Sequence, residues 1–219
     1  LQAEHEAWYW RVGAFDAVPG DPDHPDRTSL RLGGDEGALL VGEIGRAAAP
    51  FRKLAGGAWQ YTSRFEAIGE LDAAGDPIRD RGNRGAYAIV EAALAGRGTL
   101  DLAGWLRAGV AEARFNGIAD YVGAGLTASG VFPGRPDDQF GLAIGSVAAG
   151  RPWRGAAAPG GAATGSRATT LELTWRLPVA DWLTPQPDLQ YVINPGFDAT
   201  VDDALVVGLR FELGTSWSR

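Results

Sequence analysis

Apolar and polar residues alternate with a period of two along much of this chain, most regularly near its C-terminus. Leu171, Leu173, Trp175 and Leu177 are apolar, and Thr170, Glu172, Thr174 and Arg176 between them are polar. A strand sends successive side chains to opposite faces, so this spacing predicts a strand with one greasy and one polar side. The next segment repeats it, with Leu183, Pro185, Pro187, Leu189, Tyr191 and Ile193 opposed by Thr184, Gln186, Asp188, Gln190 and Asn194. A third sets Leu205, Val207, Leu209, Phe211 and Leu213 against Gly208, Arg210 and Glu212. The same test, applied backward, finds less regular strands over 8–16, 37–46, 54–62, 85–94, 103–113, 121–129 and 139–147, about ten in all. The alanine-rich stretch 86–95 also fits helical spacing, but Tyr87, Ile89 and Glu91 alternate with smaller residues and favour a strand.

The links between these segments differ in length in an ordered way. Long ones over 17–36, 63–84 and 148–168 are rich in Gly, Pro, Asp or Arg, and shorter ones over 47–53, 95–102 and 179–181 lie between them. Links 114–120 and 195–203 fall on the long-loop side and are of intermediate length. Hairpins that cross a bilayer, with loops outside and turns inside, produce such alternation. In this phase the last strand runs down to the turn side. Trp8, Trp10, Trp105, Trp175, Trp182 and Trp217 fall near strand ends, where amphipathic rings suit a membrane interface.

Alternation alone does not say which face is inside. A soluble barrel turns its apolar face inward, and a membrane barrel turns it to lipid. The apolar faces here have no bulky partner layer, glycines fall on the polar face, and long loops gather at one end. The polar rows carry Arg107, Glu172, Arg176, Asp188 and Arg210, and charges of that density must face water. The reading is therefore all-β, an antiparallel up-and-down transmembrane barrel, with 1–219 as a single barrel domain. Burial of Leu173, Leu189 and Leu209 in a dry centre, with Arg176 and Asp188 outside, would overturn it.

Composition narrows the function. The 20 Lys+Arg against 27 Asp+Glu give a net charge of -7, and Lys53 is the sole lysine, so nucleic acid is not an expected partner. The absence of cysteine removes disulfides, thiolate metal sites and cysteine nucleophiles. No apolar run approaches the roughly 18 residues of a spanning helix. Residues 1–7 lack a basic n-region and an apolar h-region, so an export signal is expected to have been removed or to lie upstream.

Several segments resemble one known family. Residues 182–196 (WLTPQPDLQYVINPG) closely resemble the penultimate strand of the carbohydrate-selective porins of the OprB type, and 203–213 (DALVVGLRFEL) resemble that family's closing strand. Residues 133–138 (PGRPDD), 32–40 (LGGDEGALL) and 82–92 (GNRGAYAIVEA) resemble it in the same order. The resemblance implies a sixteen-stranded bacterial outer-membrane barrel that passes monosaccharides and related small solutes through a constriction. This chain looks like its last ten strands, without the N-terminal part that carries the signal, the first strands and most of the constriction. Thr215 to Arg219 extend past the family's terminal aromatic. Lipid bilayer, lipopolysaccharide and small carbohydrates are the implied partners, homo-oligomer formation is left open, and no cofactor is expected.

On that reading Arg11, Arg107, Arg176 and Arg210 offer planar donors to sugar hydroxyls, facing the acceptors Glu43, Glu91, Glu172, Asp188 and Gln190. Tyr9 and Trp59 are inward rings for pyranose faces. Taken singly, each is as readily a solvated lining residue; the set carries the inference. Other chemistries lack support. Gly33, Gly34, Asp35 and Glu36 match the start of a cyclase signature without its sequel, and the acidic loop Asp21, Asp23, His24, Asp26 lacks a calcium-loop pattern. No serine triad is assembled and no carboxylate pair is singled out, so neither a catalytic residue nor a metal ligand is expected. The alternatives are an outer-membrane barrel enzyme with its site at the loop rim, and a soluble sugar-binding β-sandwich.

Overall fold

A computed structural model describes residues 1–17, 37–157 and 165–214. The strands are β1 (Gln2–His5), β2 (Trp8–Asp16), β3 (Ala38–Ala48), β4 (Phe51–Tyr61), β5 (Phe65–Leu71), β6 (Pro77–Asp80), β7 (Arg84–Arg97), β8 (Leu100–Ala111), β9 (Ile118–Ser129), β10 (Gln139–Ala149), β11 (Arg167–Arg176), β12 (Leu183–Ile193) and β13 (Ala204–Leu213), with a short helix α1 (Arg151–Ala157). Eleven of them form one antiparallel sheet in the order β1-β2-β3-β4-β7-β8-β9-β10-β11-β12-β13, and β5 and β6 pair as a separate hairpin. The described pairings do not join β1 to β13.

Every neighbour in the large sheet is the next of its strands in the chain, an up-and-down meander. The ten strands expected from alternation are all present, and 86–95 is strand, within β7. Three elements were not foreseen: β1, the β5–β6 hairpin inside 63–84, and α1 inside 148–168. The acidic loop Asp21 to Asp26, the Gly33 to Glu36 motif, Trp217 and the Thr215 to Arg219 extension lie outside the described residues.

The longest connections gather at one end and the tightest turns at the other, although the β9–β10 link 130–138 on the turn side is longer than the β8–β9 link 112–117 on the loop side. β7 and β8 are joined through Gly98 and Thr99 alone, with Arg97 paired to Leu100. A two-residue hairpin of this hand needs a positive φ, which Gly98 supplies at +63°. The opposite end carries the β5–β6 hairpin, α1 and a 3-10 turn at Pro195–Phe197.

The sheet has no second layer. Its buried apolar residues are few and small apart from Tyr9 and Phe197. Leu173 is 52% exposed, Leu189 42% and Leu209 57%, on the face that also carries Trp8, Trp10, Leu106, Val122, Leu142 and Leu205. Among the described residues nothing packs over them to form a dry centre. A continuous apolar surface of this extent belongs against lipid.

Prolines shape one seam. Pro185 and Pro187 cannot donate to a ladder, and the β11–β12 pairing accordingly runs only from Thr169↔Ile193 to Thr174↔Asp188. Beyond it, β12 continues paired to β13 alone. One side-chain and one backbone bond bridge the opened edge: Gln186 Nε2 donates to Thr174 Oγ1 at 2.8 Å, and the Leu177 backbone amide donates to the Pro185 carbonyl at 2.9 Å.

Candidate functional site

The register assigns one face to the polar residues. Arg11 pairs with Glu43, Glu43 with Gly57, Gly57 with Tyr87 and Tyr87 with Gly109, so these positions share a side. Glu91 pairs with Trp105, Ile89 with Arg107, Glu172 with Gln190 and Gln186 with Arg210, which extends the same side across the sheet. By this register all eleven sequence-selected residues, Tyr9, Arg11, Glu43, Trp59, Glu91, Arg107, Glu172, Arg176, Asp188, Gln190 and Arg210, lie on the polar face. Ten of them, all but Trp59, gather in three groups.

The densest group surrounds Glu43, whose side chain is 10% exposed. Tyr9 Oη donates to its Oε1 and Tyr87 Oη to its Oε2, each at 2.9 Å. Lys53 Nζ lies 3.4 Å and Arg11 Nη1 3.9 Å from Oε1, and the Arg11 guanidinium sits 4.6 Å over the Tyr9 ring. One carboxylate on β3 thus faces donors from three other strands, β2, β4 and β7. Lys53 and Tyr87 were not among the residues selected from sequence. Tyr87 was visible as a large residue in alternation, and nothing in the linear pattern links it to Glu43, 44 residues away.

A second group pairs Arg107 with Glu91 at 3.1 Å, with the guanidinium 4.9 Å over the Trp105 ring. This corrects the expectation for Trp105. Its register partners Glu91 and Gly125 place it on the polar face rather than in an aromatic belt at the lipid interface. Its ring lies flat over Gly125, where a Cβ would meet the indole at 2.5 Å.

The third group spans β11 to β13. Arg210 reaches Glu172 at 3.3 Å and Asp188 at 3.6 Å, Gln190 donates to Asp188 at 3.2 Å, and Arg176 pairs with Glu212 at 2.9 Å. Trp59 stands apart from these groups, toward the long-loop end, against Tyr61 with ring centroids 5.7 Å apart.

Glycine recurs beneath the large side chains of this face. The Tyr9 phenol lies over Gly45, Tyr87 over Gly57, Trp59 over Gly85, Tyr121 over Gly123, and the Asp188 carboxylate over Gly208; in each case an added Cβ would overlap the covering group. The rings therefore lie along the sheet instead of standing away from it.

The long-loop end is cross-tied. Arg114 donates to both carboxylate oxygens of Glu70 at 2.8 and 2.9 Å and to Asp80 at 2.7 Å, clamping the β5–β6 hairpin to the β8–β9 loop. The Arg114 guanidinium holds both carboxyls below their usual range, and they in turn raise its own pKa. The Ile68 amide donates to the Arg114 carbonyl at 2.8 Å, and Trp153 of α1 stacks edge-on to Phe197 at 5.5 Å. At the opposite end Arg135 grips Asp138 at 2.6 and 2.7 Å while Trp175 Nε1 donates to the same carboxylate at 3.1 Å. The Arg135 guanidinium, with the indole, holds the Asp138 carboxyl below the ordinary value.

Among the described residues no group of three or more His, Cys, Asp or Glu side chains is placed to hold a metal ion, and no helix is long and apolar enough to cross a membrane. The chemistry offered is hydrogen bonding by fixed charges and rings spread along a wet wall.

Comparison with known proteins adds three findings. The family described as carbohydrate-selective porin, OprB family, matches residues 2–214. Porin B of Pseudomonas aeruginosa is 23% identical over 233 aligned positions, which cover 94% of this chain and 51% of that protein. A solved high-pH structure of Pseudomonas putida OprB superposes with a TM-score of 0.79 at 20% identity, over 97% of this chain and 57% of that one. The chain spans about half the length of the curated relative it matches.

Proposed function

The chain belongs to the carbohydrate-selective porin family of the OprB type, and we propose that it forms a large part of the wall of an outer-membrane channel through which small sugars diffuse passively. The observation that carries this reading is the inversion of the sheet. Leu173, Leu189 and Leu209 are bare on one face, and Arg210, Glu172 and Asp188 are tied together on the other. A bilayer takes the first face and water the second, with lipopolysaccharide around the long-loop end.

Transit needs many weak contacts and no deep trap. A sugar leaving bulk water exchanges its hydrogen bonds for bonds to Arg11, Arg107, Arg176 and Arg210 as donors, and to Glu91, Glu172 and Gln190 as acceptors. Glu43 is already occupied by Tyr9, Tyr87 and Lys53, so its role is to hold those groups in place. Arg11, at 51% side-chain exposure, is the member of that group with donors left for solute. Tyr9, beneath that guanidinium, contributes through its ring, and Asp188, largely covered, orients Arg210 and Gln190. No bond is made or broken, and no catalysis is proposed.

Liposome swelling with the full-length protein tests the proposal. Swelling in isotonic monosaccharide that exceeds protein-free liposomes, and declines with solute size, is expected. Sealed liposomes accompanied by turnover of a lipid or glycoside would overturn it in favour of an enzyme.

A further inference from the structure

At the long-loop end of the polar face, four rings, two carboxamides and two aliphatic side chains line an open cavity of about 520 Å³, inside the roughly 300–1,000 Å³ range of small-molecule sites. Trp59 and Tyr61 come from β4, Phe65 opens the β5–β6 hairpin, Phe115 lies in the β8–β9 loop, and Asn83 and Asn116, with Leu39 and Val41 of β3, complete the wall. The rings form a corner: Tyr61 meets Trp59 at 77° and Phe65 at 64°, with centroids 5.7 and 4.9 Å apart. Asn116 Nδ2 donates to Asn83 Oδ1 and to the Glu112 carbonyl, each at 2.8 Å. That leaves Asn83 Nδ2 and Asn116 Oδ1 without a hydrogen bond to the described residues, one donor beside one acceptor. The Tyr61 hydroxyl is likewise uncommitted.

We propose that this cavity is a pyranose-binding station at the channel mouth, a place where sugar is captured before it meets the charged wall. The chemistry selects the class. A pyranose with equatorial hydroxyls has apolar faces of axial C–H groups and a polar rim. Ring faces carry negative quadrupole density and accept the C–H faces, and an amide donor–acceptor pair matches two neighbouring hydroxyls. An open-chain polyol has the hydroxyls but no rigid apolar face, and an inorganic ion has neither. Position fits as well: Val41↔Trp59 is the next same-face pair after Glu43↔Gly57, about 7 Å along the strands toward the loops. The station rests on the porin reading for its purpose, though not for its binding.

The test is saturation-transfer NMR on the full-length, detergent-solubilised protein with methyl β-glucopyranoside, and sorbitol as the open-chain control. Transfer to the ring protons, saturable with concentration and absent for sorbitol, is expected. Phe65→Ala and Phe115→Ala lie outside the sheet, and each should weaken the apparent affinity at least tenfold while heat-modifiable migration is kept. Equal binding by wild type and both folded variants, or no transfer in wild type, overturns the station. Liposome swelling with the same preparations separates the two claims: binding without swelling removes the porin reading alone, and swelling without binding removes the station alone.

Discussion

The Tyr87 hydroxyl crosses an entire strand to donate to Glu43, passing over Gly57, the one glycine on the polar face of β4. A hydrogen bond to a largely covered carboxylate contributes about 1.5 kcal/mol or somewhat more. Tyr87→Phe should lower the stability of the folded barrel by that order, measured by urea-dependent unfolding in vesicles. Gly57→Val should cost at least as much, because its Cβ forces the ring off the sheet. Unchanged unfolding in both would mean that the contact is idle.

The two faces should answer differently to the same charge. Leu189→Arg places a guanidinium on the apolar side near the middle of β12, where a lipid-facing arginine costs roughly 2–4 kcal/mol. Gln190→Arg, one residue on, faces the polar side and should be tolerated within about 0.5 kcal/mol. Equal penalties in a vesicle-folding titration would contradict the assignment of faces.

Arg114 should govern the hairpin rather than the wall. Arg114→Ala frees Glu70 and Asp80, so residues 65–80 should gain hydrogen exchange several-fold while sheet amides keep their protection. Acid should do the same in the wild type. Both carboxyls titrate below their ordinary values of 4.5 and 3.8, so the clamp is complete above about pH 5 and is lost as pH falls through the depressed pKa values. An exchange pattern unchanged from pH 6 down to the pH at which both carboxyls are protonated, after correction for intrinsic rates, would exclude this clamp.

Asp138 ties the β9–β10 turn to β11 through Arg135 and Trp175. Asp138→Asn keeps the shape and removes the charge, so the turn should loosen and the melting temperature should drop, with the difference shrinking only as pH falls below the ordinary 3.8 through the depressed pKa of the wild-type carboxyl. A gap that persists in acid would point to packing instead of charge.

How much of this was legible beforehand follows from what each feature depends on. Period-two alternation is local, and it located Leu171 to Leu177 and Leu205 to Leu213 because lipid exposure demands an unbroken apolar row. β1, with the short polar sequence QAEH, carries no such row and owes its existence to its partner β2. The β5–β6 hairpin is held by Arg114 from a loop that follows two strands later, a tertiary cause without a local trace. Eleven residues were placed on the polar side by parity alone, yet which of them meet depends on register. Lys53 and Tyr87 were therefore missed beside Glu43. Trp105 lies near an end only of the strand 103–113 that alternation marks; β8 begins at Leu100, so the residue sits mid-strand, and its pairing with Glu91 puts it on the polar face.

The bed of glycine under Tyr9, Tyr87, Trp59, Tyr121 and Asp188 has a consequence for flow. If this face lines the channel proposed above, such bulky groups would throttle it when upright; recessed into bare backbone, they would present flat flanks to a passing solute and leave the bore clear. The calibre of that conduit would then be written in residues that never touch the cargo, and a single methyl added at Gly45 or Gly57 would act as a stopper by tipping up its neighbour.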